Sequence, residues 1–414
     1  MWMWTPCVPT MSMRPWEKVL ENGKRKVENG KRKLMRYSLL FAIGLILTLF
    51  LPATTHGQAL PMDAPTTASL LTCGPGDDFY TTFGHSAIRI CCPQEGIDKV
   101  YNYGTFDFNT PHFYWKFMCG RLDYQLGRTT FDHFMAEYRY EGRWVKEEPL
   151  NLTPQQVNNL YILLETNYLP EYRYYRYDFF ANNCATRVRD IIYSASGADT
   201  VLYRQTPSQS YRRLVAEPLK GTMEWWRLGI DILLGLPVDH HCTAPERMFL
   251  PLEMSAEMAQ GEWSSSTGNK PLVDKGHMLL AADREATPRS FPPLVVFSLL
   301  LVAVALLSLN GRRIAWLDRT LFIIAGTLGL FLVFMWAGTD HLCTARNLNL
   351  LWASPLLLLI AIRLDRSPHW ALWLQEGAFA VAAVWVIWCG LSPALLPIIL
   401  TLALCTAKQM KNEE

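Results

Sequence analysis

Three residues stand in local contexts that suit catalysis: a cysteine, a histidine and an asparagine. Cys184 lies in FANNCATR, directly after two asparagines and ahead of Val188, Ile191, Ile192 and Ala195, which repeat at helical spacing. Asn182 or Asn183 suits the cap of that helix, because a short amide oxygen accepts from the first free backbone N–H groups. Cys184 then falls in the first turn, where the helix dipole and those N–H groups favour an anion, so a stabilised thiolate is expected. The plain alternative is a small buried residue, the commonest fate of a free cysteine. A thiol nucleophile also needs a base and a group to orient it. GHSAIRI has strand character, with His85, Ala87 and Arg89 on one face and Ser86, Ile88 and Ile90 on the other. After a turn through Pro93 and Gly96, KVYNYGTFDF reads as a second strand with Val100, Asn102 and Gly104 on one side. A hairpin in suitable register brings His85 to Asn102, which completes a Cys-His-Asn set.

Other polar clusters point less clearly to chemistry. Asp239, His240 and His241 sit together, but adjacent loop histidines carry little metal signal. The chain has no CxxC pair and no HExxH. No metal and no cofactor is expected. Asp78 and Asp107 read as turn residues. LTPQQVNNLYILLETNYL opens a structural helix with Thr153 as cap and Pro154 at its first position. In YLPEYRYYRYDFF, tyrosines interleave with Arg173 and Arg176, either as an interfacial surface or as a half-buried strand. Trp225 and Trp226 begin another helical segment and suit either the bilayer interface or core packing.

The surrounding chain places these elements outside the cytosol. Residues 1–34 include ENGKRKVENGKRK, a basic repeat without an apolar face, read as a disordered extension. Residues 35–59 have the layout of a secretory signal: basic start, apolar run SLLFAIGLILTLFL, small-residue exit at Gly57 and Ala59. An uncleaved anchor is the alternative. Beyond about residue 290, apolar blocks lie near 291–309, 319–338, 348–363, 371–388 and 391–406, the third and fifth short for a span. Arg312, Arg313 and Arg319 follow the first block, Arg363 and Arg366 the third, Lys408 and Lys411 the fifth; the alternate loops hold only Arg346. The positive-inside rule sets the three basic segments in the cytoplasm and residues 60–289 outside. Expected domains are thus an exported domain at 60–289, a membrane domain of about five helices at 290–407 and a cytoplasmic tail at 408–414. Six cysteines fall in the exported domain without framework spacing, so no disulfide is assigned. The net charge of +2 gives no reason to expect nucleic acid.

The order His-strand, polar-strand, Cys-helix resembles the permuted papain-like arrangement of the lecithin:retinol acyltransferase family. His85 matches that family's first histidine and Cys184 its nucleophile; Asn102 stands where a second histidine belongs and cannot titrate, though it can orient His85. LLTCGPGDDFYTTFGHSAIRI, YNYGTFDFNTPHFYWKF, GRLDYQL, YDFFANNCATRVRDI, MFLPLEM and NLNLLWASP together resemble the Bacteroides-type lipoprotein N-acyltransferase family, from about residue 65 to the C-terminus. The resemblance implies an α+β, permuted papain-like periplasmic domain on an all-α membrane domain in the inner membrane. It implies an enzyme that moves an acyl chain from a phospholipid or glyceryl ester through a Cys thioester to the α-amine of a lipoprotein's N-terminal Cys. Cys184, His85 and Asn102 are the expected catalytic residues. Asn183, Arg187, Arg89 and Tyr103 are candidate substrate contacts, as are His341 and Arg346 in the outward loop TDHLCTARNLN. A membrane-tethered papain-like hydrolase of peptidoglycan peptides is the rival reading.

Overall fold

The computed structural model describes residues 4–6, 66–78, 81–197, 200–204, 207–264, 268–282, 291–310, 314–364 and 367–411. The expected signal segment and nearly all of the basic extension lie outside these residues. Of the extension, Trp4–Pro6 forms a short strand.

Hydrophobic strands and two capped helices build the first half. Strands β1 (Thr67–Cys73), β2 (His85–Cys92), β3 (Ile97–Thr105), β4 (Asp123–Thr130), β5 (Val145–Pro149) and β6 (Tyr174–Arg176) join a later strand, His277–Leu280, in one antiparallel sheet. Its spatial order is His277–Leu280, β5, β1, β2, β3, β4, β6. Alternation along the strands sorts the side chains to two faces. Leu70, Ile88, Ile90, Tyr101 and Tyr103 pack with helices α3 (Pro154–Tyr168) and α4 (Cys184–Ser196). Leu71, Cys73, Ala87 and Val100 face α2 (Phe131–Glu141) on the other side. A fully buried Leu contributes about 1.5–3 kcal/mol relative to exposure, and both layers hold such residues. A short helix, α1 (Phe113–Met118), leaves the sheet between β3 and β4.

The cap of α3 is the expected one: Thr153 and Gln156 exchange hydrogen bonds as a capping box, with Pro154 beside them. The tyrosine-rich segment proves to be an edge strand. Tyr175 is buried, while Tyr172 and Tyr174 are more than half exposed.

The second half is helical. Helix α5 (Glu224–Leu233) leads from the sheet domain, and α6 (Pro251–Gln260) returns to it. Then follow α7 (Pro293–Leu309), α8 (Ala315–Ala337), α9 (Leu356–Ile362), α10 (His369–Cys389) and α11 (Leu395–Lys411). Among the described residues, α8 and α10 are long and apolar enough to cross a membrane; α7 and α11 are shorter. The third apolar block is not one straight helix: Leu342–Leu351 and α9 meet at 40°. Polar groups account for the break. Asn347 Nδ2 donates to Ile232 O and Leu233 O, and Asn349 Nδ2 to Asp231 O, at 2.8–3.0 Å. They satisfy the last carbonyls of α5, which a helix leaves without internal partners.

The two halves therefore dock tightly. Gly235 N–H donates to Cys343 O at 2.8 Å, and a Cβ at Gly235 would stand 1.9 Å from Ala345 O. Only glycine allows that approach. Trp225, on α5, donates to Phe291 O and packs on Phe297 of α7. A second contact joins α1 to the end of α8: Arg121 pairs with Asp340, His341 Nε2 meets Phe117 O at 3.2 Å, and Trp115 lies 5.9 Å from Phe334.

Candidate active site

The site forms where β2 begins and β3 ends, beneath the start of α4. Asn183 caps α4: its Oδ1 accepts from Thr186 N–H at 2.9 Å, and Thr186 Oγ1 accepts from Asn183 N–H at 2.8 Å. Asn183 Nδ2 is also spent, on Phe179 O and Phe249 O at 2.7 Å each. Asp178 holds the preceding loop by accepting from Phe180 and Ala181 N–H. Cys184 is thereby fixed at the first helical position, half-buried.

His85 begins β2 and bonds to Asn102 on β3, with Nε2 and Oδ1 3.2 Å apart. An amide oxygen only accepts, so Nε2 carries the proton and Nδ1 keeps its lone pair. That is the tautomer of a base. The ladder pairs Ile88 with Tyr101; continued three residues, it sets His85 level with Gly104. Gly104 has φ +92°, and a Cβ there would stand 3.4 Å from Cys184 Cβ and 4.0 Å from Tyr177 Cε2. The thiol thus lies over Gly104, by the backbone N–H of Ser86, the residue that follows His85.

The electrostatics correct one expectation. Burial pushes the Cys184 thiol above its ordinary range, against the pull of the Ser86, Ala185 and Cys184 N–H groups and of Arg143. Burial and Arg143 pull His85 down to about 4, against its bond to Asn102. The resting pair is therefore a neutral thiol beside a neutral imidazole, not a stabilised thiolate. A nucleophilic role for Cys184 would require proton transfer to accompany attack.

Three features had no clear signal in the sequence. The Tyr175 hydroxyl is buried; Gly104 N–H points to its oxygen, and its own proton has no acceptor among the described residues. Cys184 raises its pKa, so the two groups lie close. Arg143 is 6 % exposed, and its charge reaches both His85 and Cys184. A ladder of rings runs from the thiol to the membrane side. Tyr177 stacks on Tyr124 at 4.2 Å, Tyr124 meets Phe106 at 5.2 Å, and Phe106 meets Phe108 and Phe113 at 4.9 and 5.7 Å. Phe108, Trp115 and Phe117 at its outer end are each more than half exposed. The aromatic richness of YNYGTFDFNTPHFYWKF was visible; its path was not.

The remaining candidates divide. Arg187, one turn beyond Cys184, donates to Asn182 Oδ1 and lies 3.9 Å over the Tyr175 ring, so it braces the site. Asn183 positions Cys184 but has no free group for substrate. Arg89 is reassigned: it lies roughly 13 Å along the strand from His85, held by Asp98 and Glu147. Tyr103 is reassigned too, because alternation turns it into the core, where its hydroxyl accepts from Asn167. His341 touches the exported domain rather than the thiol. Arg346 gives its carbonyl to Leu236 N–H, and its side chain is exposed. Asp239 is paired with Arg212.

Comparison with protein families matches residues 58–217 to the Lnb N-terminal periplasmic domain and residues 285–412 to the Lnb transmembrane domain. No curated protein and no solved structure matches the chain.

Proposed function

Because the chain belongs to the Lnb family, a periplasmic domain joined to a transmembrane domain, we propose that it is a lipoprotein N-acyltransferase of the inner membrane with Cys184 as nucleophile. The acyl chain comes from a phospholipid or glyceryl ester and passes to the α-amine of a lipoprotein's N-terminal Cys. One observation carries the reading: His85 is held by Asn102 in the basic tautomer, level with a cysteine at a capped helix start. The order His-strand, Asn-strand, Cys-helix supports a permuted papain-like site.

The chemistry proceeds in two steps. His85 Nδ1 takes the Cys184 proton as sulfur attacks the donor's ester carbonyl; the C–O bond breaks, and the proton passes to the departing alcohol of the lyso product. The amine nitrogen then attacks the thioester carbonyl. Its proton goes to His85, the C–S bond breaks, and His85 returns the proton to sulfur. An α-amine has a pKa of about 7.7–8.0, so part of it is neutral near pH 7. Two easier steps replace direct aminolysis of an ester. Negative charge develops on the carbonyl oxygen in both, and the Tyr175 O–H and the N–H groups at the start of α4 are donors suited to it. The ring ladder gives the donor's acyl chain an apolar path from the bilayer.

The test is replacement of Cys184 by Ala and by Ser in cells that depend on the protein, with masses of lipoprotein N-terminal peptides as readout. Both variants are expected to lose the N-linked acyl chain, and the wild-type protein to carry an acyl group on Cys184 that hydroxylamine releases. Retention of the third chain in both variants would refute the reading, and a peptide adduct on Cys184 would favour a hydrolase instead.

A further inference from the structure

Arg187 carries a charge beside the thiol that no carboxylate answers. It lies three residues after Cys184 on α4, and residues at that spacing share a helix face with Cβ atoms about 5–6 Å apart. Its side chain leans back toward the helix start, since Nε donates to Asn182 Oδ1 at 2.7 Å. The guanidinium rests on the Tyr175 ring at 3.9 Å and lies 5.9 Å from the Tyr103 ring, which holds it in place. Arg187 makes no ion pair among the described residues, and its Nη1 and Nη2 groups meet no acceptor there yet are not sealed from solvent. The carboxylates of the adjoining segments are committed elsewhere: Asp178 to Phe180 and Ala181 N–H, Asp190 to Arg189, and Asp123 to Arg176. A chain of contacts also runs from Arg187 to the membrane domain. Asn182 Nδ2 donates to Arg176 O at 2.6 Å, Arg176 pairs with Asp123, and nearby Arg121 pairs with Asp340, just past the outer end of α8.

A guanidinium with a pair of free N–H groups recognises phosphate or carboxylate in bidentate fashion. Among the substrates of the proposed reaction, the lipoprotein amine arrives as a cation or a neutral base, and a diacylglyceryl ester carries no anion. A glycerophospholipid brings a phosphate that only the glycerol backbone separates from its ester carbonyl, a span that suits two groups one helical turn apart. We propose that Arg187 holds the donor's phosphate while Cys184 attacks its ester, so that the site selects a phospholipid over an uncharged glyceryl ester. The assignment rests on the acyl-transfer reading and names the donor within it. As the ester C–O bond breaks, the phosphate leaves with the lyso product, which clears Arg187 before the amine enters.

The test compares two donors with the same acyl chains, phosphatidylethanolamine and diacylglycerol, each given to full-length protein in maltoside micelles. Single-turnover acylation of Cys184 is followed by mass. Wild type is expected to react with the phospholipid about tenfold faster or more, the worth of one charge-assisted pair. Arg187→Gln should slow the phospholipid reaction about tenfold and leave the diacylglycerol reaction close to wild type, with Arg187→Lys between the two. A change that merely loosens α4 slows both donors alike, so equal slowing, or no preference in wild type, overturns the assignment. Inorganic phosphate should leave the phospholipid rate unchanged; strong competition would assign Arg187 to a free anion and overturn it as well. A second readout needs no turnover. Native mass spectrometry measures the phospholipid retained by Cys184→Ala protein and by the Cys184→Ala, Arg187→Gln double variant; the double variant should retain less, and equal retention again overturns the assignment. Absence of acyl-Cys184 from either donor, with the retention difference intact, would count against the acyl-transfer reading and leave the phosphate site standing.

Discussion

Two regions flank the segment that carries His85 and Cys184, and they are built from opposite materials. On the membrane side the path is rings: Phe108, Phe106, Tyr124 and Tyr177, with Trp115 beside Phe334 at its outer end. On the other side a cleft is lined by carboxylates and guanidiniums, among them Arg143, whose charge acts on His85. The rings bring apolar surface without fixed charge, which suits a hydrocarbon chain. The cleft brings fixed charge, most of it paired: Glu141 with Arg143, Glu253 with Arg247 and Glu217 with Arg213. Under the proposed acyl transfer, the ring side is the one shaped for the lipid donor.

The ring ladder reaches the thiol at Gly104, where Tyr177 and Cys184 both lie close, and the largest predicted effect lies there. Its φ of +92° is reserved for glycine, and a Cβ would press on Cys184. Gly104→Val should lower acyl transfer by about 1000-fold, combining backbone strain of order 1–3 kcal/mol with a displaced nucleophile. Both half-reactions, thioester formation and aminolysis, should fall together. Single-turnover kinetics check this; loss of one half-reaction alone would mean that Gly104 does not position the thiol for both. A similar thermal melt to wild type would exclude unfolding.

Acid response gives the next largest effect and reports on the cleft side. His85 is pulled from its ordinary 6.5 to about 4. The depressed value keeps the base neutral as pH falls, so activity should hold through pH 5 and decline only towards pH 4. A base with a pKa of 6.5 would retain about 3 % of its neutral form at pH 5, so the difference is roughly 30-fold at that pH. The sign also bears on folding. Between about pH 4 and 6.5 the unfolded chain binds the extra proton, so His85 makes stability rise with pH in that window. Arg143→Gln removes a positive charge near the imidazole and should move the acid limb upwards. A limb at pH 6.5 in the wild type would mean that neither burial nor Arg143 acts on the base.

The placement of the candidate residues was legible because its signals are local. Strand alternation and a turn at Pro93–Gly96 set the faces of His85 and Asn102, and a short amide before an apolar-periodic run marked the cap. The structure chose Asn183 over Asn182, whose oxygen serves Arg187 instead. The same alternation, carried one residue further, turns Tyr103 into the core. Arg143 and Tyr175 were not legible. Arg143 reaches back across the chain to Gly74, and Tyr175 lies on an edge strand whose partner is β4; pairing over such separations has no local spacing to announce it. The broken third apolar block has the same origin, since Asn347 and Asn349 serve carbonyls more than a hundred residues away. Its hydropathy showed that it was apolar but not that its polar groups were committed elsewhere.

The smallest predicted effect tests the outer end of the rings. Trp115 is 55 % exposed and its ring lies 5.9 Å from Phe334, three residues before the end of α8. That depth sets it where tryptophan is favoured at a membrane interface. If the ladder feeds acyl chains from the bilayer, Trp115→Ser should slow thioester formation from a bilayer phospholipid by about 3- to 5-fold, the loss of about 1 kcal/mol at an exposed apolar contact. With a short-chain, water-soluble ester as donor the same variant should match wild type, because that donor needs no path from the lipid. Equal slowing with both donors would mean that Trp115 serves only the docking of α1 on α8. No slowing with either would leave the membrane side as mere packing, and the contrast between the two regions would rest on the cleft alone.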